Sequence, residues 1–371
     1  MEKKAIIAMS GGVDSSVAAL LCKQQGFDCV GVTLALTSNQ DRGVPQEEFP
    51  GERTCCSVDD VADARSVAFR LDMPFYVFNF KEAFRQEVMD RFVTAYEEGL
   101  TPNPCVDCNR YIKFEKLMRR GEEIGYPYVA TGHYARVEQD QATGRWLLKK
   151  GLDESKDQSY MLYALTQWEL SRLLLPLGEL TKDQVRQLAE EYGFLNARKR
   201  DSQDICFVPD GDYAAFIRRW EQGQTCPKEF PPGEFVGTEG QVYGEHKGII
   251  HYTVGQRKGL GLSFPQPMYV CGIDPRRNRV VLGKQEELFS REAEAGDINL
   301  ISVEKLEEPL RVKARVRYRQ KEQPATVYQT GPDRLKVVFD EPQRAITPGQ
   351  SLVLYQGDVV VGGGKLLPRE E

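Results

Sequence analysis

Two stretches of the chain carry groups that could do chemistry. The first, "AMSGGVDSS" (8 to 16), sets adjacent glycines and three serines between a short apolar run and a helical pattern. Glycines without side chains let backbone N–H groups and a helix N-terminus close on phosphate oxygens. A loop for γ-phosphoryl transfer also needs Gly-Lys-Ser/Thr, and there is no lysine here. The loop therefore suits holding pyrophosphate as a leaving group.

The second, "NPCVDCN" (103 to 109), places Cys105 and Cys108 three apart between two asparagines. Such a pair can hold a metal, close on itself or act as a nucleophile. Zinc wants a second pair of ligands at suitable spacing, and the only histidines are His133, His246 and His251. A redox pair wants CxxC at a helix start after a strand, and Pro102 and Pro104 fit that poorly. A thiolate near a helix N-terminus is a better nucleophile, but it needs a sulfur partner. Cys206, in "RDSQDICFV" (200 to 208), follows the basic run Arg198-Lys199-Arg200, which favours thiolate. A cysteine in an apolar "ICFV" strand also suits a core. Cys22, Cys29, Cys226 and Cys271 read as core or incidental, and Cys55-Cys56 is left open.

The elements that must position these groups alternate in period. Strand-like runs at 4–9, 29–36, 74–80 and 127–133 are separated by helical patterns at 15–25, 58–71, 81–98 and 114–124, the second with Ser57 as N-cap. This alternation implies a doubly wound parallel α/β sheet, whose ligands bind at the carboxyl ends of its strands. The serine-glycine loop falls at the end of the first one. "TKDQVRQLAEEYG" (181 to 193) carries a helix-start box, Thr181 with Gln184, and a terminal Gly193. From about Cys206 the chain turns rich in Gly and Pro, and beyond Lys284 it is almost all β. The expectation is three domains: 1–205 with the parallel sheet, a small mixed central domain at 206–283 and a C-terminal β-barrel at 284–371.

The loop Ser10-Gly11-Gly12-Val13-Asp14-Ser15 resembles the signature of the N-type ATP pyrophosphatases. Together with "TPNPCVDCNRYIKF", "ATGHYARV", "KDQSYMLY", "DSQDICF" and "VRYRQ", in that order across almost the whole chain, it resembles the tRNA-specific 2-thiouridylases. That resemblance implies ATP-dependent replacement of the 2-oxygen of the wobble uridine by sulfur, with AMP and pyrophosphate as products and Mg²⁺ accompanying ATP. It implies that Ala8, Met9, Ser10, Gly11, Gly12, Val13, Asp14 and Ser15 bind ATP, with Leu34 and Gly132 lining the adenosine. Cys108 becomes the nucleophile and Cys206 the carrier of a persulfide supplied by a sulfur-donor relay protein. Asn103, Pro104 and Cys105 would contact the target base, and Lys156, Asp157, Gln158, Arg317 and Tyr318 the tRNA.

Chemistry explains why two cysteines are wanted: Cys108 thiolate can attack the inner sulfur of a Cys206 persulfide, freeing the outer one and leaving a disulfide for a reductant to reopen. Cys105 stands where some members of the family have Asp. Three thiols, Cys105, Cys108 and Cys206, could instead bind three irons of a 4Fe–4S cluster and leave the fourth open to hydrosulfide. Two other readings stay open: another adenylating ligase acting on a small carboxylate or amide, and a redox or metal-binding RNA module without catalysis.

The formal charge of −6 gives no global field for a polyanion, so an RNA surface must be local. "RVKARVRYRQK" (311 to 321) has a basic residue at every second position, which on one strand would line a single face for phosphates. Only five apolar residues separate the first lysines from the Ser-Gly-Gly turn, and no apolar run approaches the ~20 residues of a membrane span. A cytoplasmic monomer is expected.

Overall fold

A computed structural model of the chain describes residues 2–37, 58–199 and 205–369. The expected Ser57 cap, Cys55-Cys56 and the Asp201 to Asp204 part of "DSQDICF" lie outside the described residues. By its internal contacts the chain divides into two compact units, one of 1–88, 105–211 and 357–360, the other of 89–104, 212–356 and 361–371.

The first unit is built on a parallel sheet of β1 (Lys4–Ala8), β2 (Asp28–Ala35), β3 (Phe75–Asn79), β4 (Tyr128–Ala130) and β7 (Leu173–Leu174), in the order β3-β2-β1-β4-β7. Ala5, Ile6 and Ile7 are fully buried, because a central parallel strand is covered on both faces and so reads as continuous apolar sequence. Burying each isoleucine stabilises by about 2 kcal/mol. β1 pairs with β2 on one side and β4 on the other, so the chain reverses direction across the sheet at its carboxyl end, where such sheets bind ligands. Helix α1 (Val13–Gln24) leaves that end and is buried nearly all round, with Ala18 and Ala19 allowing close approach. A hairpin of β5 (Ala135–Gln139) and β6 (Trp146–Lys150) follows β4, an element the sequence pattern did not reveal.

Helix Val58–Arg70 matches expectation within a residue. So does Lys182–Glu191, whose capping box joins Thr181 and Gln184 and whose end is marked by Gly193 at φ +63°. The expected helix 81–98 exists, but its middle, Arg85–Asp90, is π-helical. The expected start at Phe114 is wrong. Helix begins at Pro104, runs as Pro104–Asp107, continues as a π-helix over Cys108–Lys116 and ends as Leu117–Glu123. Proline fits the first helical position because its missing N–H would have no partner there.

The second unit holds two β systems. β8 (Gly233–Gly237), β9 (Val242–His246), β10 (Tyr269–Asp274) and β11 (Arg279–Gly283) form a mixed sheet in the order β10-β11-β8-β9. β12 (Phe289–Leu300), β13 (Leu310–Arg315), β14 (Gln323–Gly331), β15 (Arg334–Arg344), β16 (Ser351–Gln356) and β17 (Val359–Leu366) form a six-stranded antiparallel barrel, closed by pairing of β12 with β17. Period-two burial fills it: Val312 and Ala314, Ala325 and Val327, Leu335, Val337 and Phe339, and Leu352 and Leu354 all point inward.

Candidate functional site

The loop after β1 is held from behind. Met9 N–H donates to the Val32 carbonyl and Thr33 Oγ1 to the Met9 carbonyl, at 2.8 and 2.7 Å. The Gly11 carbonyl is turned away from the cavity and accepts from Asn196 Nδ2 at 2.9 Å and Lys199 Nζ at 3.3 Å. Lys199 itself is anchored by Asp60 and Asp63, both at 2.6 Å. Gly11 sits at φ +74°, and a Cβ on it would lie 2.4 Å from the Asp60 carbonyl. Neither the conformation nor the space admits a side chain.

No side chain caps α1, and its Gly12 start is extended. The serines turn inward instead: Ser15 Oγ accepts from Ser10 N–H at 3.2 Å and donates to the Gly12 carbonyl at 3.0 Å, while Ser16 Oγ bonds the same carbonyl at 3.0 Å. The first-turn N–H groups, which have no partner within a helix, are thus presented to an incoming anion. Asp14, an acid in that turn, would repel one, but its carboxylate accepts twice from the buried Lys182 ammonium, at 2.7 and 2.8 Å, and from Tyr134 Oη at 2.8 Å.

This end of the sheet opens into a cavity of about 200 Å³ lined by Ala8, Met9, Ser10, Asp14 and Ser15, by Val32 and Leu34 of β2 and Leu36 just past it, and by Lys113, Thr131, Gly132, His133 and Gln158. The structure thus brings together much of the expected nucleotide set, with Gly11, Gly12 and Val13 forming the turn behind it. Gly132 is where β4 meets α1: a Cβ there would be 2.7 Å from the backbone of Asp14 and Ser15. An apolar wall on β2 facing a cradle of N–H groups and hydroxyls suits a purine and its phosphates. His133 Nδ1 lies 2.8 Å from Thr131 Oγ1, and burial, followed by the charge of Lys113, pushes the imidazole down to about 3. It stays neutral at physiological pH.

Three family models match this chain: "tRNA methyl transferase HUP domain" over residues 3–210, "tRNA methyl transferase PRC-barrel domain" over 224–284 and "Aminomethyltransferase beta-barrel domain" over 290–366. The chain is 52% identical over 364 residues to the tRNA-specific 2-thiouridylase MnmA of Clostridioides difficile (strain 630), covering 98% of each chain. It is 50% identical over 363 residues to the protein of that name from Acetivibrio thermocellus, covering 98% of this chain and 99% of that one. The chain belongs to the tRNA-specific 2-thiouridylase family.

The cysteines lie in the same unit as the cavity. Cys105 is exposed, one residue into the helix that Pro104 begins, with Asn103 just before it; Cys108 is buried at the start of the π-helical stretch. Asn109, buried beside it, donates to the Met161 carbonyl at 3.1 Å and ties the helix to the turn after Gln158. Cys206 is half-buried in a turn closed by Val208 N–H to the Ile205 carbonyl, not in the expected strand. Its neighbour Phe207 packs edge-on against Phe84, and the Lys81–Phe84 helix packs on the π-helix that begins with Cys108. Among the described residues no three His, Cys, Asp or Glu side chains gather in a way that could hold a metal. The three thiols as placed do not form a cluster site.

The residues expected to meet tRNA are less uniform than their sequence. Asp157 is buried and accepts from Gly151 N–H, Ser159 N–H and Ser159 Oγ, so it shapes its own turn; Gln158 accepts from Tyr134 N–H and lines the cavity, and Lys156 is half-buried. The basic stripe is not one strand: β13 ends at Arg315 and residues 316–320 turn. Arg311 pairs with Asp340 and Arg315 with Glu322. Arg317 reaches inward, donating to the carbonyls of Val254 and Ala345 and to Thr347 Oγ1. Tyr318 is half-buried, while Arg319 and Lys321 are exposed.

Proposed function

We propose that this chain converts a uridine of tRNA to 2-thiouridine, using ATP to activate the 2-oxygen and cysteine-borne sulfur to replace it. What carries the reading is the cavity itself: an uncapped helix N-terminus and a lysine-free glycine turn at the switch point of a parallel sheet, with two cysteines in the same unit. Methyl transfer, the activity in the name of the matching family model, has no use for an adenylating loop. The relatives named above carry thiolation in their name.

In the first step the uracil 2-oxygen attacks the α-phosphorus of ATP. The bond to pyrophosphate breaks, pyrophosphate leaves with the electron pair, and the N3 proton passes to solvent. The first-turn N–H groups of α1 would hold phosphate oxygens, Mg²⁺ arriving with ATP would offset their charge, and Leu34 and Gly132 would enclose the adenosine. In the second step Cys108 thiolate attacks the inner sulfur of a Cys206 persulfide delivered by a donor protein. Hydrosulfide leaves, a Cys108–Cys206 disulfide forms, and the hydrosulfide adds to C2 of the activated base. AMP departs and N3 regains its proton, and an external dithiol then reopens the disulfide. Asn103, Pro104 and Cys105 lie in the chain just before Cys108 and would meet the base; Lys156, Tyr318 and the exposed basic side chains would meet the RNA backbone. The chain would work as a monomer in the cytoplasm; among the described residues no helix is long and apolar enough to cross a membrane.

The test separates the two steps. Cys108→Ser and Cys206→Ser are each expected to abolish 2-thiouridine, measured by nucleoside chromatography, while tRNA-dependent pyrophosphate release persists, because a hydroxyl can neither carry nor release sulfur. Thiolation by either variant at the normal rate overturns the sulfur route. Cys105→Asp is expected to keep persulfide-driven activity in iron-free protein.

A further inference from the structure

The nucleotide loop has no lysine, yet the cavity has one. Lys113 comes from the helix that carries Cys108 and lines the same cavity as the loop. Among the described residues lining that cavity, Asp14 also bears a formal charge, and its carboxylate accepts from Lys182.

The helix geometry brings this about. Cys108 and Lys113 are five residues apart, and in an α-helix five residues turn the chain by about 140° beyond a full turn, sending the two to different faces. Over Cys108–Lys116 the helix is π-helical, with hydrogen bonds between residues five apart, and this wider winding brings Lys113 and Cys108 closer to one face than an α-helix would. The proximity of its ammonium to the rest of the cavity is also visible in His133, whose imidazole feels the Lys113 charge.

We propose that Lys113 is a catalytic residue of adenylation, whose ammonium holds the α-phosphate of ATP and strengthens its contact as negative charge builds there during attack by the 2-oxygen. The proposal rests on the adenylating function given above. The lysine of a Walker loop comes from the loop itself and lies on the outer phosphates. Here the cation comes from the thiol-bearing helix and not from the loop, which assigns it to the phosphorus that stays with the base when pyrophosphate departs. A donor that meets growing charge raises the rate more than it raises affinity. The same rigid turn then offers Cys108 beside the adenylated base.

Two measurements test this on the full chain, using Lys113→Ala and Lys113→Arg. In calorimetric titrations the wild type is expected to bind AMP more tightly than adenosine; Lys113→Ala narrows that gap by about tenfold with adenosine affinity kept, and Lys113→Arg restores part of it. The retained adenosine affinity reports that the variant is folded. At saturating ATP, single-turnover pyrophosphate release with tRNA is expected to fall about 10²- to 10³-fold in Lys113→Ala. An unchanged AMP-to-adenosine gap overturns the phosphate contact, and a narrowed gap with normal release overturns the catalytic role. If the wild type releases no pyrophosphate with tRNA, it is the proposed function that fails, and the AMP-to-adenosine comparison still decides the contact of Lys113.

Discussion

Gly132 and Asp14 show how little slack the nucleotide end of the sheet has. An alanine at 132 would put its methyl carbon 2.7 Å from the backbone carbon of Asp14 and the nitrogen of Ser15. Neither atom is a flexible side-chain tip, so the first turn of α1 must shift, at a cost of about 1–3 kcal/mol for overpacking. Gly132→Ala should therefore weaken ATP binding by about tenfold or more by calorimetry, and unchanged affinity would show that the strand end yields instead. The Asp14–Lys182 pair is a second constraint, with side-chain exposures of 28% and 8%. Lys182→Met should lower stability by about 3 kcal/mol in urea unfolding, because it strands a carboxylate at a mostly buried position. Asp14→Asn in the same background should recover part of that loss, since the uncompensated charge is what costs.

At the scale of elements, the parallel sheet was legible because its strands are apolar on both faces and its helices are punctuated: Thr181, Gln184 and Gly193 mark a helix start and stop that the structure reproduces. The glycine loop was legible for the same reason, since Gly11 and Gly132 are places that only a glycine fits. Lys113 was not. Nothing in "NRYIKF" distinguishes a π-helix from an α-helix, because the change lies in hydrogen-bond register and not in composition, and an α-helical reading sends Lys113 away from Cys108. Lys182 was missed because its partner Asp14 is 168 residues away in sequence. The stripe at 311–321 misled for the opposite reason. Alternation continues in sequence after the strand has ended, and Val316, which continues the pattern, is still buried although it lies in the turn. A distinction follows between its arginines. Arg317→Ala should cost about 1–3 kcal/mol of stability by removing a donor to the Val254 and Ala345 carbonyls and Thr347, and should leave the salt dependence of tRNA binding unaltered. Arg319→Ala should leave stability unaltered and reduce that salt slope by about one unit. Filter binding across a salt series, beside thermal unfolding, reads both; equal slopes for the two variants would contradict the assignment.

For the whole molecule the histidines set the response to acid, and they are spread over both compact units: His133 in the first, His246 and His251 in the second. Burial comes first among the causes in all three. It pushes His133 down to about 3 and His251 to about 4, the latter helped by Lys247 and Arg218, and it also lowers His246. His246 is fixed as a neutral ring, since Nδ1 accepts from Gly248 N–H at 3.0 Å, which leaves Nε2 as the donor to the Asn278 carbonyl at 3.1 Å. In the unfolded chain each would titrate near its ordinary value of about 6.5. Between that value and the folded one the unfolded state takes up protons that the folded state refuses, so stability is complete above about pH 6.5 and falls steadily toward about pH 4. Buried Glu169 works the other way: burial raises its carboxyl, so the folded chain keeps a proton that the unfolded one has released, and this favours folding on the acid side. Half-buried Glu97 is raised by burial in the same way, and two such groups against three imidazoles leave the net slope positive. Urea midpoints measured from about pH 7.5 down to about pH 4.5 should therefore decline through the histidine range and not only below the carboxylate range. His251→Gln, whose amide takes up no proton, should make the decline shallower while leaving the share of His246 in the same unit. A midpoint constant down to about pH 5 would mean that these rings accept protons in the folded chain.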